Sequence, residues 1–440
     1  MRSNIFGTDG VRGRANEGFI TPENAMKLAV SAANYYSEAK RKTAGSKFTV
    51  VIGKDTRLSG YMLEPALTAG FIAAGANVML LGPIPTPGVA FITKSLRADL
   101  GVVISASHNP YQDNGIKFFN ADGFKITVDD EMKISDMFWG QQKLTQTETM
   151  GKAWRLDGAA GRYVEFAKRS FPRELSLAGM KIAVDTANGA AYKVAPQVLW
   201  ELGADVIKVG NSPDGLNINK GCGVVDTTRL QKAVLDSGAC IGIALDGDAD
   251  RVAIVDETGN MIDGDYLLAA IATSWQRTEK LQGNTVVATI MSNLGMERYL
   301  NSIGLNLVRT DVGDKYVLQK MLEIGANIGG EQSGHIIPID YSSTGDGIVA
   351  ALQILAYIRT EGIRASSIRN LYTPLPNMMR SIPIDSCQSL ERCRELGESI
   401  VGQAGRVIIR KSGTEPVVRI LIEAESADLV NSAVAALCGV

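Results

Sequence analysis

Three aspartates alternate within five residues in Leu245-Asp246-Gly247-Asp248-Ala249-Asp250-Arg251. They directly follow the apolar run Ile241–Leu245, which reads as a strand. In an extended segment residues i, i+2 and i+4 point the same way, so three carboxylates would share one face. Like charges at that spacing repel unless a cation sits among them. All-oxygen ligation suits Mg²⁺ or Ca²⁺ rather than zinc. Gly247 and Ala249 leave room for close approach. A solvated acidic turn is the plainer alternative. A calcium hand fits poorly, despite Glu257 at its twelfth position, because Arg251 stands where its sixth residue must be glycine.

Ile104-Ser105-Ala106-Ser107-His108-Asn109-Pro110 offers two hydroxyls, an imidazole and an amide after a buried strand. Ligands of open α/β sheets bind at such carboxyl ends. A serine held there can act as a nucleophile or phosphoryl carrier, although a turn chosen for local hydrogen bonds explains the same residues. Gly329-Gly330-Glu331-Gln332-Ser333-Gly334-His335 could grip sugar hydroxyls or be a Gly-rich turn. Arg410-Lys411-Ser412-Gly413-Thr414-Glu415-Pro416, followed by Arg419, combines a Gly loop, two hydroxyls and guanidinium groups. That is an anion cradle suited to a phosphate monoester, and it is not a Walker A loop. Further charge lies in Gly7–Gly13, with Asp9 and Arg12, in Gly53-Lys54-Asp55-Thr56-Arg57 and in Asn114-Gly115-Ile116-Lys117. Acid–base pairs of this kind are often structural. The chain's two histidines, His108 and His335, both fall inside candidate loops.

These loops need elements to hold them. Thr21-Pro22 reads as the N-cap and first residue of a helix to about Lys40. Phe48–Ile52 reads as a strand, 61–74 as a helix, and Val78–Leu81 as a strand closed by Gly82, Pro83, Pro85 and Pro87. Leu100–Ile104 is a third strand. The pattern restarts with strands at Lys181–Val184, Asp205–Val209 and Ile241–Leu245. It restarts again with Thr285–Ile290 and Leu307–Thr310 around a helix from about Asn293. Strand–helix alternation with short links predicts mainly parallel mixed sheets in three successive similar α/β domains. Strands at Arg406–Ile409 and Val417–Ala424 with a helix at Ala427–Leu437 predict a smaller C-terminal α+β domain. The expected domains are 1–153, 154–256, 257–368 and 369–440.

Bulk composition sets limits. The net charge of −2 carries no basic excess, which argues against a nucleic-acid partner. Five cysteines without a CxxC argue against a disulfide framework or structural zinc. The N-terminus lacks the apolar stretch of a signal peptide, and no run approaches the roughly 18 apolar residues of a membrane span. A cytoplasmic setting without a membrane partner is expected.

Together the segments resemble the α-D-phosphohexomutase family. Ser-Ala-Ser-His-Asn-Pro looks like its phosphoserine loop and Asp-Gly-Asp-Ala-Asp-Arg like its metal loop. Gly-Glu-Gln-Ser-Gly-His looks like its sugar loop and Arg-Lys-Ser-Gly-Thr-Glu-Pro like its phosphate loop. The four occur in family order, one per expected domain, around what the family arranges as a central cleft. Phe6–Gly13, Gly215-Leu216-Asn217-Ile218-Asn219, Gln332 and Ser343-Thr344-Gly345-Asp346-Gly347 point to the branch acting on glucosamine phosphate. Mannose or glucose phosphate is the alternative substrate. Lys315 is a departure, since members often carry arginine there and the bidentate fork is lost.

The resemblance implies an isomerase in which Ser107 carries a phosphoryl group. One Mg²⁺ would be held by Ser107, Asp246, Asp248 and Asp250. His108, Lys117 and Arg12 would serve catalysis, supported by Asp9, Asn109 and Arg251. Glu331, Ser333 and His335 would bind the sugar. Arg410, Ser412, Gly413, Thr414 and Arg419 would hold phosphate. Glucosamine 1,6-bisphosphate would be intermediate and activator, and the product would feed UDP-N-acetylglucosamine and peptidoglycan precursors. The resemblance leaves room for a homodimer and for activation by phosphorylation of Ser107.

Overall fold

The computed structural model describes residues 4–7, 9–39, 47–383, 390–411 and 417–438. The chain forms two compact units, Met1–Leu267 with Ser333–Ile368, and Leu268–Gln332 with Arg369–Val440.

The first unit holds two mixed sheets. One runs, in spatial order, Val11–Arg14, Asp113–Asn120, Leu100–Ile104, Thr49–Lys54, Asn77–Pro83 and Ala153–Arg155. The other runs Met261–Ile262, Val252–Asp256, Ile241–Leu245, Lys181–Asp185 and Asp205–Val209. Leu100–Ile104 and Ile241–Leu245 are buried along their whole length, as expected of parallel strands covered on both faces. Each then reverses into an antiparallel partner, with Ile104 opposite Ile116 and Leu245 opposite Val252. Neither return strand is expected from the sequence, and both matter, because the candidate loops span these reversals.

Gly82 and Pro83, expected to close the strand at Leu81, lie within it as Asn77–Pro83, and the breakers that follow do something else. They open a helix, Thr86–Ser95, in whose first turn Pro87 costs nothing because its N–H would have no helical partner. The helices Pro22–Ala39 and Gly60–Ala73 cover the first sheet through Leu28, Ala32, Leu63, Leu67 and Phe71.

The second unit contains the parallel strands Asn306–Thr310, Thr285–Thr289 and Ile328–Gly330. It also contains an antiparallel sheet ordered Asn377–Pro383, Val417–Glu423, Arg406–Lys411. Val407, Ile409, Val418, Ile420 and Ile422 pack with Val401, Val430 and Ala433 of its two helices. Asn377–Pro383 is unexpected. It is a largely exposed edge strand ending in proline, so it lacks the alternating apolar pattern that marks a half-buried strand. Among the described residues no helix is long and apolar enough to cross a membrane.

Candidate active site

Ser107 sits in the loop after Leu100–Ile104 with φ +52, a left-handed conformation uncommon outside glycine. Its backbone is gripped on every side. Ser107 N donates to Ser105 Oγ at 2.9 Å, and Ser105 Oγ donates to Asp55 Oδ2 at 2.6 Å. Asp55 also pairs with Arg57 at 2.8 Å. Arg57 is 1% exposed and donates to the carbonyls of Ser107, Asn109, Pro110 and Asp113. Its five N–H groups are therefore consumed in shaping the serine loop. Asn219 Nδ2 donates to the carbonyls of Ser107 and Asn109 at 2.9 and 3.0 Å. Asn109 holds Asp113 across the turn at 2.9 Å.

The constrained hydroxyl meets the acidic loop, with Ser107 Oγ donating to Asp246 Oδ2 at 2.5 Å. Gly247 is required here, because a Cβ would lie 2.5 Å from the Ser107 carbonyl oxygen. The three aspartates do not align by strand alternation as the sequence suggests. Residues 246–251 form a turn with Ala249 at φ +57, and the carboxylates converge because the chain curls. One oxygen from each lies within 4.8 Å of the others, and all three residues are buried.

The electrostatics are those of clustered buried carboxylates balanced by buried cationic side chains. Burial, reinforced by repulsion from Asp250 and Asp248, pushes Asp246 well above the usual carboxylate range. Lys117, 1% exposed on the return strand, pairs with Asp248 at 3.0 Å, Asp9 at 3.1 Å and Asp250 at 3.6 Å. Burial alone would depress its pKa, but Asp248, Asp9 and Asp250 reverse the shift and keep the ammonium charged. Asp9 also takes Lys125 at 2.5 Å and Arg12. Against the effect of burial, Lys117, Lys125 and Arg12 hold Asp9 well below its usual range. Arg12 additionally donates to the Ala106 carbonyl at 3.4 Å. Thr86 Oγ1 donates to Asp248 Oδ2 at 2.6 Å, and Arg251 N donates to Asp246 Oδ1 at 3.1 Å. After these contacts Asp248 Oδ1 and Asp250 Oδ1 are buried without a hydrogen-bond partner. Converging carboxylates with unpartnered oxygens fit a hard, oxygen-preferring divalent cation.

His108 Nδ1 lies 3.5 Å from Ser107 Oγ. Burial, then Arg251 and Arg12, push its pKa down to about 4, so the ring is neutral. His335, grouped with Glu331 and Ser333 in the sequence, lies beside the acidic loop. It is 3% exposed, its Nδ1 is 3.8 Å from Asp250 Oδ2, and its Nε2 accepts from Gly345 N at 3.2 Å.

The remaining predicted residues belong to the second unit, Ser333 excepted. Glu331 Oε1 accepts from Gly313 N at 3.1 Å. Arg410 and Arg419 are direct register partners on adjacent strands. Burial and then Arg419 lower the Arg410 pKa, while Asp311 works against the shift. Ser412, Gly413 and Thr414 lie outside the described residues. Sequence reasoning missed Thr86, Lys125 and Asn219 as partners of the candidate loops, while the structural alternative it left open for the Asp55–Arg57 pair is the one the structure shows. Asn219 and Arg57 stood in segments already notable for composition, whereas Thr86 and Lys125 had no local signal.

Comparisons with known proteins agree with this geometry. Residues 3–145, 161–259 and 263–375 match phosphoglucomutase/phosphomannomutase alpha/beta/alpha domains I, II and III, and residues 380–440 match the C-terminal domain of that family. A phosphoglucosamine mutase of Paramagnetospirillum magneticum is 53% identical over 99% of this chain and 98% of its own length. One from Rhizobium rhizogenes is 51% identical over 100% and 98%. Among solved structures, a phosphoglucomutase/phosphomannomutase family protein of Burkholderia thailandensis has a TM-score of 0.83 at 23% identity, covering 100% of this chain and 98% of that one. Aspergillus fumigatus N-acetylphosphoglucosamine mutase, solved with GlcNAc-6P and magnesium, has a TM-score of 0.66 at 16% identity, covering 99% and 94%. The chain belongs to the phosphoglucomutase/phosphomannomutase family of α-D-phosphohexomutases, alongside the bacterial phosphoglucosamine mutases.

Proposed function

We propose that the chain is a phosphosugar isomerase interconverting glucosamine 6-phosphate and glucosamine 1-phosphate, with Ser107 as phosphoryl carrier. The observation that carries this is Ser107 Oγ, held in a strained loop and hydrogen-bonded to a buried aspartate triplet beside a buried lysine. Phosphoryl transfer rests on positioning and on neutralising charge, and this loop is organised for both. Substrate choice is supported by the half-identical relatives named phosphoglucosamine mutase.

In this mechanism phospho-Ser107 gives its phosphoryl group to O1 of glucosamine 6-phosphate. The resulting 1,6-bisphosphate reorients, and Ser107 takes back the 6-phosphoryl group. Mg²⁺ bound by Asp246, Asp248 and Asp250 with the Ser107 oxygen would supply charge neutralisation. Lys117 and Arg12 stabilise charge on the transferring group, with Asp9 dividing its carboxylate between them. Neutral His108 is placed to take the proton at Ser107 Oγ or the sugar hydroxyl. Glu331, Ser333 and His335 bind the sugar, and Arg410, Ser412, Gly413, Thr414 and Arg419 hold the phosphate that is not reacting. We further propose the four-domain division 1–153, 154–256, 257–368 and 369–440, activation by phosphorylation of Ser107, a cytoplasmic location and a homodimeric state.

A coupled assay for glucosamine 1-phosphate, run beside glucose and mannose phosphates, tests the reading. Wild type should prefer the amino sugar, and Ser107→Ala should abolish turnover with an intact fold. Full activity of Ser107→Ala would eliminate the phosphoserine step.

A further inference from the structure

Gly215-Leu216-Asn217-Ile218-Asn219, a segment the sequence marks out, takes no part in the mechanism proposed above. It belongs to the loop that leaves Asp205–Val209, the edge strand of the second sheet. The loop is closed on itself. Asn217 Nδ2 donates to the Ser212 carbonyl at 2.9 Å, and Asn217 Oδ1 accepts from Asp214 N at 3.1 Å. Asn188 ties the loop to the segment after Lys181–Asp185: its Oδ1 accepts from Ser212 N at 3.0 Å and its Nδ2 donates to the Asn217 carbonyl at 3.2 Å. Asn219 N adds a bond to the Ala187 carbonyl at 2.9 Å.

Braced in this way, the loop meets the serine side at three points. The Gly215 carbonyl accepts from Leu58 N at 3.0 Å, one residue beyond Arg57. Ile218 lies against Gly247, where a Cβ would come within 2.8 Å of Ile218 Cδ1. Asn219 Nδ2 donates to the carbonyls of Ser107 and Asn109, the same two that Arg57 Nη2 takes at 2.9 and 2.8 Å. Each carbonyl therefore receives one donor from the first sheet's side and one from the second's. Turning the Asn219 amide over would set Oδ1 against both carbonyls. In the orientation seen, Oδ1 is buried without a hydrogen-bond partner, so an acceptor is left uncompensated while both N–H groups stay on the serine loop.

We infer that Asn219 is a positioning residue for phosphoryl transfer, fixing the Ser107 carbonyl from the second sheet so that the left-handed serine keeps its hydroxyl on Asp246. This rests on the phosphoserine reading given above. Ser105 holds the Ser107 N–H, while Arg57 and Asn219 hold its carbonyl. A φ of +52 on a serine persists only where the surroundings fix both ends.

Asn219 is itself left-handed, at φ +58, so the test variants keep that backbone. Aspartate has nearly the same shape and tolerates the conformation but offers no donor, and glycine adopts it freely without a side chain. Two readouts are taken on the full-length phosphorylated protein. One is the single-turnover rate of phosphoryl transfer from phospho-Ser107 to glucosamine 6-phosphate, and the other is the phosphorus NMR shift of phospho-Ser107. A smaller folded fraction lowers the amplitude of both signals but moves neither value. Asn219→Asp and Asn219→Gly should each slow transfer on the order of 10- to 100-fold and displace the resonance. An unchanged rate in either variant, or a slowed rate with the Asn219→Gly resonance unmoved, would overturn the inference. A Ser107→Ala control separates the two levels. If Ser107→Ala keeps full steady-state turnover, the phosphoserine reading falls and takes this inference with it. If Ser107→Ala is inactive while both Asn219 variants transfer at the wild-type rate, only the inference falls.

Discussion

Asp346 carries a pH dependence that asparagine should erase. The carboxylate is fully buried, Oδ1 caps the helix by accepting from Ile348 N and Val349 N at 3.1 and 3.0 Å, and Tyr163 OH donates to both oxygens. Burial pushes its pKa up to about 6, well above the ordinary aspartate range, despite the hydrogen bonds from Val349, Tyr163 and Ile348. The folded state therefore binds the proton more tightly than the unfolded state. The stabilisation is fully present below about pH 4 and is lost as pH rises through about 6. A shift of about two units corresponds to about 3 kcal/mol across that window. Asparagine caps a helix about as well as aspartate and has no proton to lose. The advantage of Asp346→Asn over wild type should thus grow by up to about 3 kcal/mol between about pH 4 and about pH 8. Urea midpoints followed by tryptophan fluorescence measure it. A difference that stays constant across the window, or one that shrinks as pH rises, would refute the buried-carboxylate reasoning.

Other substitutions probe the remaining contacts. Gly247→Ala drives a methyl toward the Ser107 carbonyl and should lower kcat on the order of 100-fold through misplacement of the serine; a normal kcat would show that the loops do not need this approach. Arg57→Lys keeps the charge but offers three donors where five are used, and should cost about 2–4 kcal/mol in unfolding free energy, with denaturation as the check. Lys117→Met strips a buried cation from three carboxylates and should destabilise the protein by about 3–5 kcal/mol, with added Mg²⁺ restoring part of the loss in a thermal scan. Arg419→Ala should raise KM more than it lowers kcat, and steady-state kinetics would expose the opposite pattern.

Strands rich in aliphatic residues were legible to the residue. Leu100–Ile104, Asp205–Val209 and Ile241–Leu245 appear where the sequence places them. The return strands Asp113–Asn120 and Val252–Asp256 were not, for two different reasons. Asp113-Asn114-Gly115 carries turn chemistry at the start of a strand, and Val252 follows an acidic loop too short to separate two elements by composition. The triplet was legible as a carboxylate cluster that could hold a cation, but its extended geometry was not correct, because the left-handed Ala249 cannot be read from an alanine. Lys125 and Thr86 reach their aspartates across 116 and 162 residues. Such contacts exist only once the strands have paired, so local pattern cannot report them.

The three sheets share one construction that explains where the chemistry lies. In each, the first parallel strand is central and the second and third flank it: Thr49–Lys54 between Asn77–Pro83 and Leu100–Ile104, Lys181–Asp185 between Asp205–Val209 and Ile241–Leu245, and Thr285–Thr289 between Asn306–Thr310 and Ile328–Gly330. The segment leaving the third strand is the serine loop in the first sheet, the acidic loop in the second and the Glu331 loop in the third. Because the three strands run parallel, their carboxyl ends lie on one edge of each sheet, and loops there are free to vary while the strands remain rigid. The serine loop took on a strained residue held by Arg57 and Asn219, and the acidic loop a turn that needs Gly247. Each departs from local preference only where the rigid third strand ends, so the cost of the strain is borne by the buried strands and not by the loops.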